Sequence, residues 1–420
     1  MDADVIIVGA GAAGLWAAAK AARAGARVCV LEKTARCGTK VLASGGTRCN
    51  LTTTLGPAQA ARLFGPRGER FLRSALAALP PEAVREHFHQ LGVPTVTAPL
   101  DKVFPASQRA RDVRDALEGD ARAAGVQILL DEPVLAIAEV PGGWRVDSEG
   151  GSRCAPRLGL ATGGASVPKS GTTGDAWPWL SALGLKALPP APALVPLTSP
   201  APWVHELSGI ALEDARLRLI GPDGKVLGER RRPVLFTHTG LSGPGAMDLS
   251  EPIGRAEMEG GPVTGFHLTI DLLPEHSFEE LRAILLDAQG QSGRNNLAVS
   301  LPAPLPGRLL QQVARQAGWE ADPRARGCLK SLDKGTRHRL IEALKGLEVP
   351  VHGTRGMDLA EVSSGGLDLR QLNPRTMEVN GHPGLFVFGE LLDLQGPIGG
   401  LNFLAAWATA ELAGAAMAQG

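Results

Sequence analysis

The sequence predicts an α/β protein in which the two ends of the chain together build one parallel, nucleotide-binding sheet. Three observations point there. Val5-Ile6-Ile7-Val8 is an uninterrupted apolar run that passes through a glycine-rich turn into an alanine-rich stretch. Leu385-Phe386-Val387-Phe388 repeats the apolar run near the other end, ahead of a second glycine-rich helix start. Between them, the pattern changes first to short antiparallel strands and then to helices. Fully apolar strands of four residues suit a parallel sheet covered on both faces, whereas strands with one wet face alternate.

Taken in order, Val5–Val8 is the first strand and Ala12 to Ala24 the first helix, closed by Gly25; Arg27 to Leu31 returns as a second strand, completing a βαβ unit. Pro81 to Leu91 and Arg111 to Ala124 read as helices, and Val126 to Leu130 and Val134 to Val140 as strands. Gly142-Gly143 turns the chain so that Trp144-Arg145-Val146 pairs back, and Leu158 to Ala161 leads into Thr162-Gly163-Gly164. Pro189, Pro190, Pro192, Pro196, Pro200 and Pro202 then crowd one stretch, as at a domain boundary. Beyond it, Ala215 to Ile220, the turn Pro222-Asp223-Gly224 and Lys225 to Glu229 form a hairpin, with further strands at Val234 to Phe236 and Phe266 to Leu272. Phe278 to Asp287, Gly307 to Ala317 and Asp333 to Leu344 read as a helical insertion. The expected domains are therefore 1–190 with 356–420, 191–273 with 346–355, and 274–345.

Composition limits the function classes. The chain has 420 residues, with 43 Lys plus Arg against 43 Asp plus Glu, so no net field draws it to nucleic acid or anionic membrane. Neither a nucleic-acid partner nor a membrane is expected. Cys29, Cys37, Cys49, Cys154 and Cys328 are odd in number and lack metal or disulfide spacing, which suits a reducing, cytoplasmic compartment and no metal site. No secretory signal is expected at the N-terminus. Gly399 to Gly420 is apolar enough to suggest a membrane span, but Asn402, Trp407, Thr409 and Glu411 interrupt it, so a buried helix is expected. Arg230-Arg231-Arg232 reads as a solvated surface run rather than an anion site.

Gly9-Ala10-Gly11-Ala12-Ala13-Gly14 fits GxGxxG in its full strand–turn–helix context. Gly9 permits the tight turn, Gly11 lets a pyrophosphate approach the backbone, and Gly14 allows close helix packing. The phosphates would meet free N–H groups at the positive end of the helix dipole. Glu32, at the end of the second strand, can accept hydrogen bonds from ribose hydroxyls. This fingerprint does not separate FAD from NAD. The segment from Asp393 to Phe403 opens the last helix, and its N-terminus can stabilise negative charge on a reduced flavin. Ser44-Gly45-Gly46-Thr47-Arg48-Cys49-Asn50 is a third small-residue segment, either a ring-binding platform or an ordinary loop.

Together, GAGAAG, SGGTRCN at Ser44 to Asn50, FTHTGLSGP at Phe236 to Pro244 and GELLDLQGPIGGLNF at Gly389 to Phe403 resemble the BaiN-like or YhiN-like bacterial flavoproteins, also described as aminoacetone-oxidase-family FAD-binding enzymes. The resemblance implies a discontinuous Rossmann-like FAD-binding domain with an inserted antiparallel β-barrel-like domain that carries a helical insertion. It implies that Gly9, Gly11, Ala13 and Gly14 cradle the pyrophosphate, that Glu32 holds the ribose, and that Lys33 and Lys40 lie near the nucleotide. It places the backbone of Val134 at the adenine. Ser44, Gly45, Gly46, Arg48 and Asn50 would face the ribityl chain and ring, together with Asp393, Gly399, Gly400, Asn402 and Phe403. Gly163 and Glu390 belong to the same expected cofactor set. Thr47 departs from the family pattern, which has a glycine there.

A flavin exchanges hydride at N5, so the protein must position the substrate and supply a proton. There is no tyrosine, leaving His238, Cys49, Glu390 or water as proton donors. His238 lies in a motif at a strand end, but a histidine satisfied near a turn reads equally well. Cys49 is either redox active or a small buried filler, and with no second cysteine nearby in sequence the filler reading is favoured. The resemblance offers reduction of a conjugated carbon–carbon double bond of a small or medium-sized organic substrate, with NAD(P)H as a transient co-substrate, or an oxygen-dependent amine oxidase. An RNA-modifying flavoprotein and a non-catalytic flavin-binding protein are alternatives of another class. The sequence leaves the oligomeric state open.

Overall fold

The computed structural model describes residues 3–261, 263–290, 296–319, 329 and 332–419. The chain divides into two compact units, Met1–Pro192 with Met357–Gly420, and Ala193–Gly356.

In the first unit, strands Leu385–Val387, Arg157–Leu160, Val5–Val8, Val28–Leu31 and Gln127–Leu129 lie side by side in that order, all parallel. Val5 pairs with Arg157 on one side and Val28 on the other. The chain therefore winds outward from the central strand on one side, through Val28–Leu31 to Gln127–Leu129, and then fills the other side with Arg157–Leu160 and Leu385–Val387. Such a switch point opens a crevice at the carboxyl ends of the strands, where α/β sheets bind ligands. Val5–Val8 and Val28–Leu31 are apolar and fully buried, whereas Gln127–Leu129 forms the sheet edge and begins with an exposed glutamine.

The first helix, Ala12–Arg23, buries Ala13, Ala17, Ala18 and Ala21. Small side chains let another helix approach closely, and the last helix, Leu401–Ala418, does so: a Cβ on Gly414 would sit 2.7 Å from the Ala17 carbonyl oxygen. Its largest side chain, Trp407, is fully buried, stacks on Phe403 at 5.3 Å and donates to the Leu51 carbonyl. The apolar C-terminal segment is thus a core helix, and no helix among the described residues is long and apolar enough to cross a membrane. A small antiparallel sheet, Val134–Val140, Gly143–Ser148 and Gly151–Ala155, completes the predicted hairpin with a third strand.

Part of the proline cluster forms a strand. Ala187–Ala193 is a strand paired with Val362–Leu367 in a two-stranded ribbon. An edge strand tolerates proline wherever its missing N–H would face away from the partner.

The second unit contains two antiparallel sheets. One orders Ala211–Leu212, Val234–Thr237, Gly240–Ser242, Leu197–Thr198 and Gly353–Thr354; the other orders Val226–Arg231, Arg216–Ile220, His267–Asp271 and Leu347–Pro350. Helices Phe278–Gly290, Gly307–Gln316 and Lys334–Lys345 contribute Leu281, Leu309 and Leu340 to the same hydrophobic core as those strands. Cys328 lies outside the described residues.

Candidate functional site

The sheet brings four chain segments to the carboxyl ends of its strands. Gly9 follows Val8, Glu32 follows Leu31, Ala161 to Gly164 follow Leu160, and Gly389-Glu390 follow the last strand.

Gly9 adopts φ +102°, and a Cβ there would meet the Ala161 carbonyl oxygen at 2.5 Å. Gly14 is equally constrained, because its Cβ would lie 1.9 Å from the Gly9 carbonyl oxygen. Gly11 differs: a Cβ there meets nothing within 4 Å. Its side therefore faces open space, beside the first N–H groups of a helix with no acidic residue in its first turn. Gly389 packs against the same helix, where its Cβ would approach the Ala13 methyl at 2.8 Å.

Glu32 braces this turn. Its Oε2 accepts from the Ala10 N–H at 2.8 Å, and Oε1 accepts from the Thr34 N–H and hydroxyl at 2.9 and 2.8 Å. Carboxylate oxygens carry spare lone pairs, so a ribose hydroxyl can still be accepted. Lys33 is engaged by Asp175 and by the Thr173 hydroxyl. Val134 opens the antiparallel sheet opposite Ser148 and is half-buried.

Lys40 joins residues distant in sequence. Its ammonium donates to Glu390 at 2.5 Å and to the Ser166 hydroxyl at 2.7 Å, while Glu390 also accepts from the Ser363 N–H at 3.0 Å. The Ser363 hydroxyl accepts in turn from the Ala165 N–H at 3.0 Å. Ser166 and Ser363 were missed in the sequence. Their signal was the small-residue context, Gly163-Gly164 for one and Gly365-Gly366 for the other. Gly163 itself has φ +75° and touches Thr172.

The segment Ser44 to Asn50 is a left-handed turn, with φ of +54°, +65°, +67° and +61° at Gly45, Gly46, Thr47 and Cys49. Thr47 thus adopts the conformation a glycine would. The Ser44 hydroxyl donates to the Val41 carbonyl, and Arg48 lies with its guanidinium 4.7 Å above the Phe104 ring. Asn50 accepts from the Val103 N–H at 3.1 Å and adjoins Gly400, whose Cβ would come 2.9 Å from the Asn50 oxygen and 2.1 Å from the Thr52 carbonyl oxygen. Gly399 and Gly400, at φ +147° and +81°, turn the chain into the last helix. Asn402 closes the preceding loop by bonding both the N–H and the carbonyl of Gly396, and Asp393 pairs with Arg67 at 3.0 Å.

Burial pushes the Cys49 thiol up to about 12, against a smaller opposing effect of its hydrogen bond with Ser44. Fully buried, this thiol is held protonated at neutral pH. His238 belongs to the second unit, exposed at the hairpin tip between Val234–Thr237 and Gly240–Ser242. The Arg230–Arg232 run is neutralised locally: Arg231 pairs with Asp214 and Glu275, and Arg232 with Asp248.

Three features fit a dinucleotide carrying a flat ring. The Gly11 approach is open; two helices begin in glycine-rich turns; and the buried Thr162 hydroxyl and Gln395 side-chain oxygen have no hydrogen-bond partner among the described residues. Buried polar atoms without partners are costly unless something else satisfies them.

Residues 3–416 match the family described as HI0933-like protein Rossmann domain. The chain is 33% identical over 408 residues to a ribosomal RNA dihydrouridine synthase of Escherichia coli, covering 97% of this chain and 96% of that protein. A protein of the same description from Haemophilus influenzae is 30% identical over 413 residues, covering 96% of each. A 3-dehydro-bile acid delta(4,6)-reductase of Clostridium scindens is 30% identical over 419 residues, covering 98% of each. A match over almost the whole chain, joined to a parallel sheet whose switch point carries the open glycine turn, makes this protein a member of the HI0933-like family and an FAD-dependent oxidoreductase.

Proposed function

We propose that the protein reduces a carbon–carbon double bond conjugated to a carbonyl group, taking electrons from NAD(P)H. The observation that carries this reading is the near-full-length likeness to proteins of two descriptions whose names share one chemistry. Making dihydrouridine saturates the ring double bond of uridine, and a delta(4,6)-reductase saturates ring double bonds of a steroid acid. Bound FAD would relay hydride between the nicotinamide and the acceptor carbon.

The residues of this chain would do the holding. Gly9, Gly11, Ala13 and Gly14 would present helix N–H groups to the pyrophosphate, and Glu32 would accept from the ribose. Val134 would offer backbone to the adenine. Ser44 to Gly46, Asn50, Gly163 and Asp393 to Phe403 would surround the ribityl chain and ring, with the last helix directing its positive end at the ring's carbonyl side. Lys40 and Glu390 would keep that wall in place, and Lys33 would order the loop next to the ribose. A proton would come from water, since Cys49 holds its proton too tightly for transfer at neutral pH.

A second reading, in which the double bond belongs to a uracil ring of RNA, is favoured by the descriptions of the Escherichia coli and Haemophilus influenzae relatives. Balanced overall charge weighs against extended phosphate binding but leaves local contacts open. The test is anaerobic mixing of holoprotein with NADH or NADPH, following flavin absorbance at about 450 nm. Rapid bleaching that 2-cyclohexen-1-one or ribosomal RNA reverses supports the proposal and tells its two forms apart. Bleaching reversed only by oxygen, or none at all, overturns it.

A further inference from the structure

Arg48 carries the one charge of its segment, Ser44 to Asn50. It is exposed, as are Gly46 and Thr47 before it, while Cys49 beside it is fully buried. Thr47 and Cys49, the residues on either side, both hold left-handed backbone, which is unfavourable for non-glycine residues. The arrangement is anchored from both directions: Ala110 donates its N–H to the Thr47 carbonyl at 2.9 Å, and Cys49 to the Ser44 carbonyl at 3.1 Å. These bonds fix the backbone on both sides of Arg48.

The guanidinium is also held in orientation. It lies over the Phe104 ring at 4.7 Å, and Phe104 is buried against the glycine segment, 3.4 Å from where a Gly45 Cβ would be. Stacking uses the face of a guanidinium and leaves its edge donors free. The Arg48 Nε makes a long contact with the Gly45 carbonyl at 3.4 Å, and among the described residues Arg48 forms no ion pair with a carboxylate. Arg231 and Arg232, by contrast, are each neutralised by acids. Asn50, two residues on in the same segment, adjoins Gly400 at the start of the last helix.

We propose that Arg48 is a substrate-binding residue that receives an oxyanion of the substrate, a phosphate or a carboxylate, rather than a cofactor ligand. The inference rests on the reductase reading, because it takes the substrate to sit next to the ring held by these segments. A planar fork with free edge donors matches either group by two parallel hydrogen bonds.

The test is an equilibrium titration of the oxidised holoprotein, read by flavin absorbance, with two matched pairs: uridine 5′-monophosphate against uridine, and 4-oxo-2-pentenoate against its methyl ester. In one pair the anion should bind about tenfold or more tightly than its neutral counterpart, and that pair identifies phosphate or carboxylate as the source. Arg48→Met should abolish the preference with FAD retained, and Arg48→Lys should keep part of it, having the charge without the fork. Raising KCl should erode the preference in the unaltered protein, a measurement that depends on no variant. Equal behaviour of anion and neutral partner in both pairs, a preference that survives Arg48→Met, or loss of FAD from either variant would overturn the proposal. None of these readings requires nicotinamide, so a failure here is distinct from a failure of the reductase reading.

Discussion

Replacing Gly11 by alanine separates what the protein needs for folding from what it needs for its cofactor. Gly11 sits at φ −78° and ψ −168°, a backbone geometry alanine adopts without strain, and its Cβ would meet nothing within 4 Å. In the apoprotein the substitution should be neutral or stabilising by about 0.4–1 kcal/mol, because it restricts the unfolded chain. In the holoprotein the methyl group would occupy the space through which a pyrophosphate reaches the helix N–H groups. A charge-assisted hydrogen bond contributes about 1.5–3 kcal/mol, so losing one or two weakens FAD binding by about 1.5–6 kcal/mol, or roughly 10-fold to 20,000-fold. Gly14→Ala should behave differently. Its Cβ would start 1.9 Å from the Gly9 carbonyl oxygen and must move to at least 3.0 Å, so the helix start shifts by about 1 Å and the apoprotein itself loses stability. The assay is thermal melting of both apoproteins, followed by FAD titration monitored by quenching of flavin fluorescence. Wild-type FAD affinity in Gly11→Ala, or an apoprotein as damaged as Gly14→Ala, would refute the reasoning.

Three further outcomes are expected. Glu390→Gln removes the charge that neutralises Lys40 in a half-buried network, and should lower stability by about 1–3 kcal/mol, measured as a fall in melting temperature that bound FAD only partly restores. Asp368 is held at about 2, below its ordinary 3.8, chiefly by its hydrogen bond with Arg370, with Arg67 adding to the effect. Its contribution is therefore complete above pH 3.8 and lost as pH falls through about 2, so Asp368→Asn should flatten the acid-unfolding profile in that window when followed by circular dichroism. Cys49 should resist iodoacetamide at neutral pH until the protein unfolds, since a thiol at about 12 is thiolate in only about one molecule in 10⁵; rapid labelling of the folded protein, located by peptide mass, would contradict this assignment.

The sequence determined what short-range physics governs. Four apolar residues followed by Gly9, Gly11 and Gly14 specify a strand, a turn and a helix start, because tight backbone contacts at Gly9 and Gly14 exclude any side chain whatever the rest of the chain does. The alanines of the first helix announced close packing, and the polar interruptions of Gly399 to Gly420 announced a core helix instead of a membrane span. The strand at Ala187–Ala193 was not legible in its prolines, because an edge tolerates proline only once a partner strand exists. Tertiary structure alone decided who meets whom. Lys40 and Glu390 are 350 residues apart and meet because the strand before Glu390 joins the sheet beside Arg157–Leu160. The same placement gathered Ser166 and Ser363, which no spacing rule connects. It also buried Cys49 while leaving Arg48, its neighbour, stacked on Phe104 and free to bind. Propensity and turn chemistry act over a few residues and can be read along the chain; burial and charge pairing depend on which distant segments the sheet brings together, and appear only when it has formed.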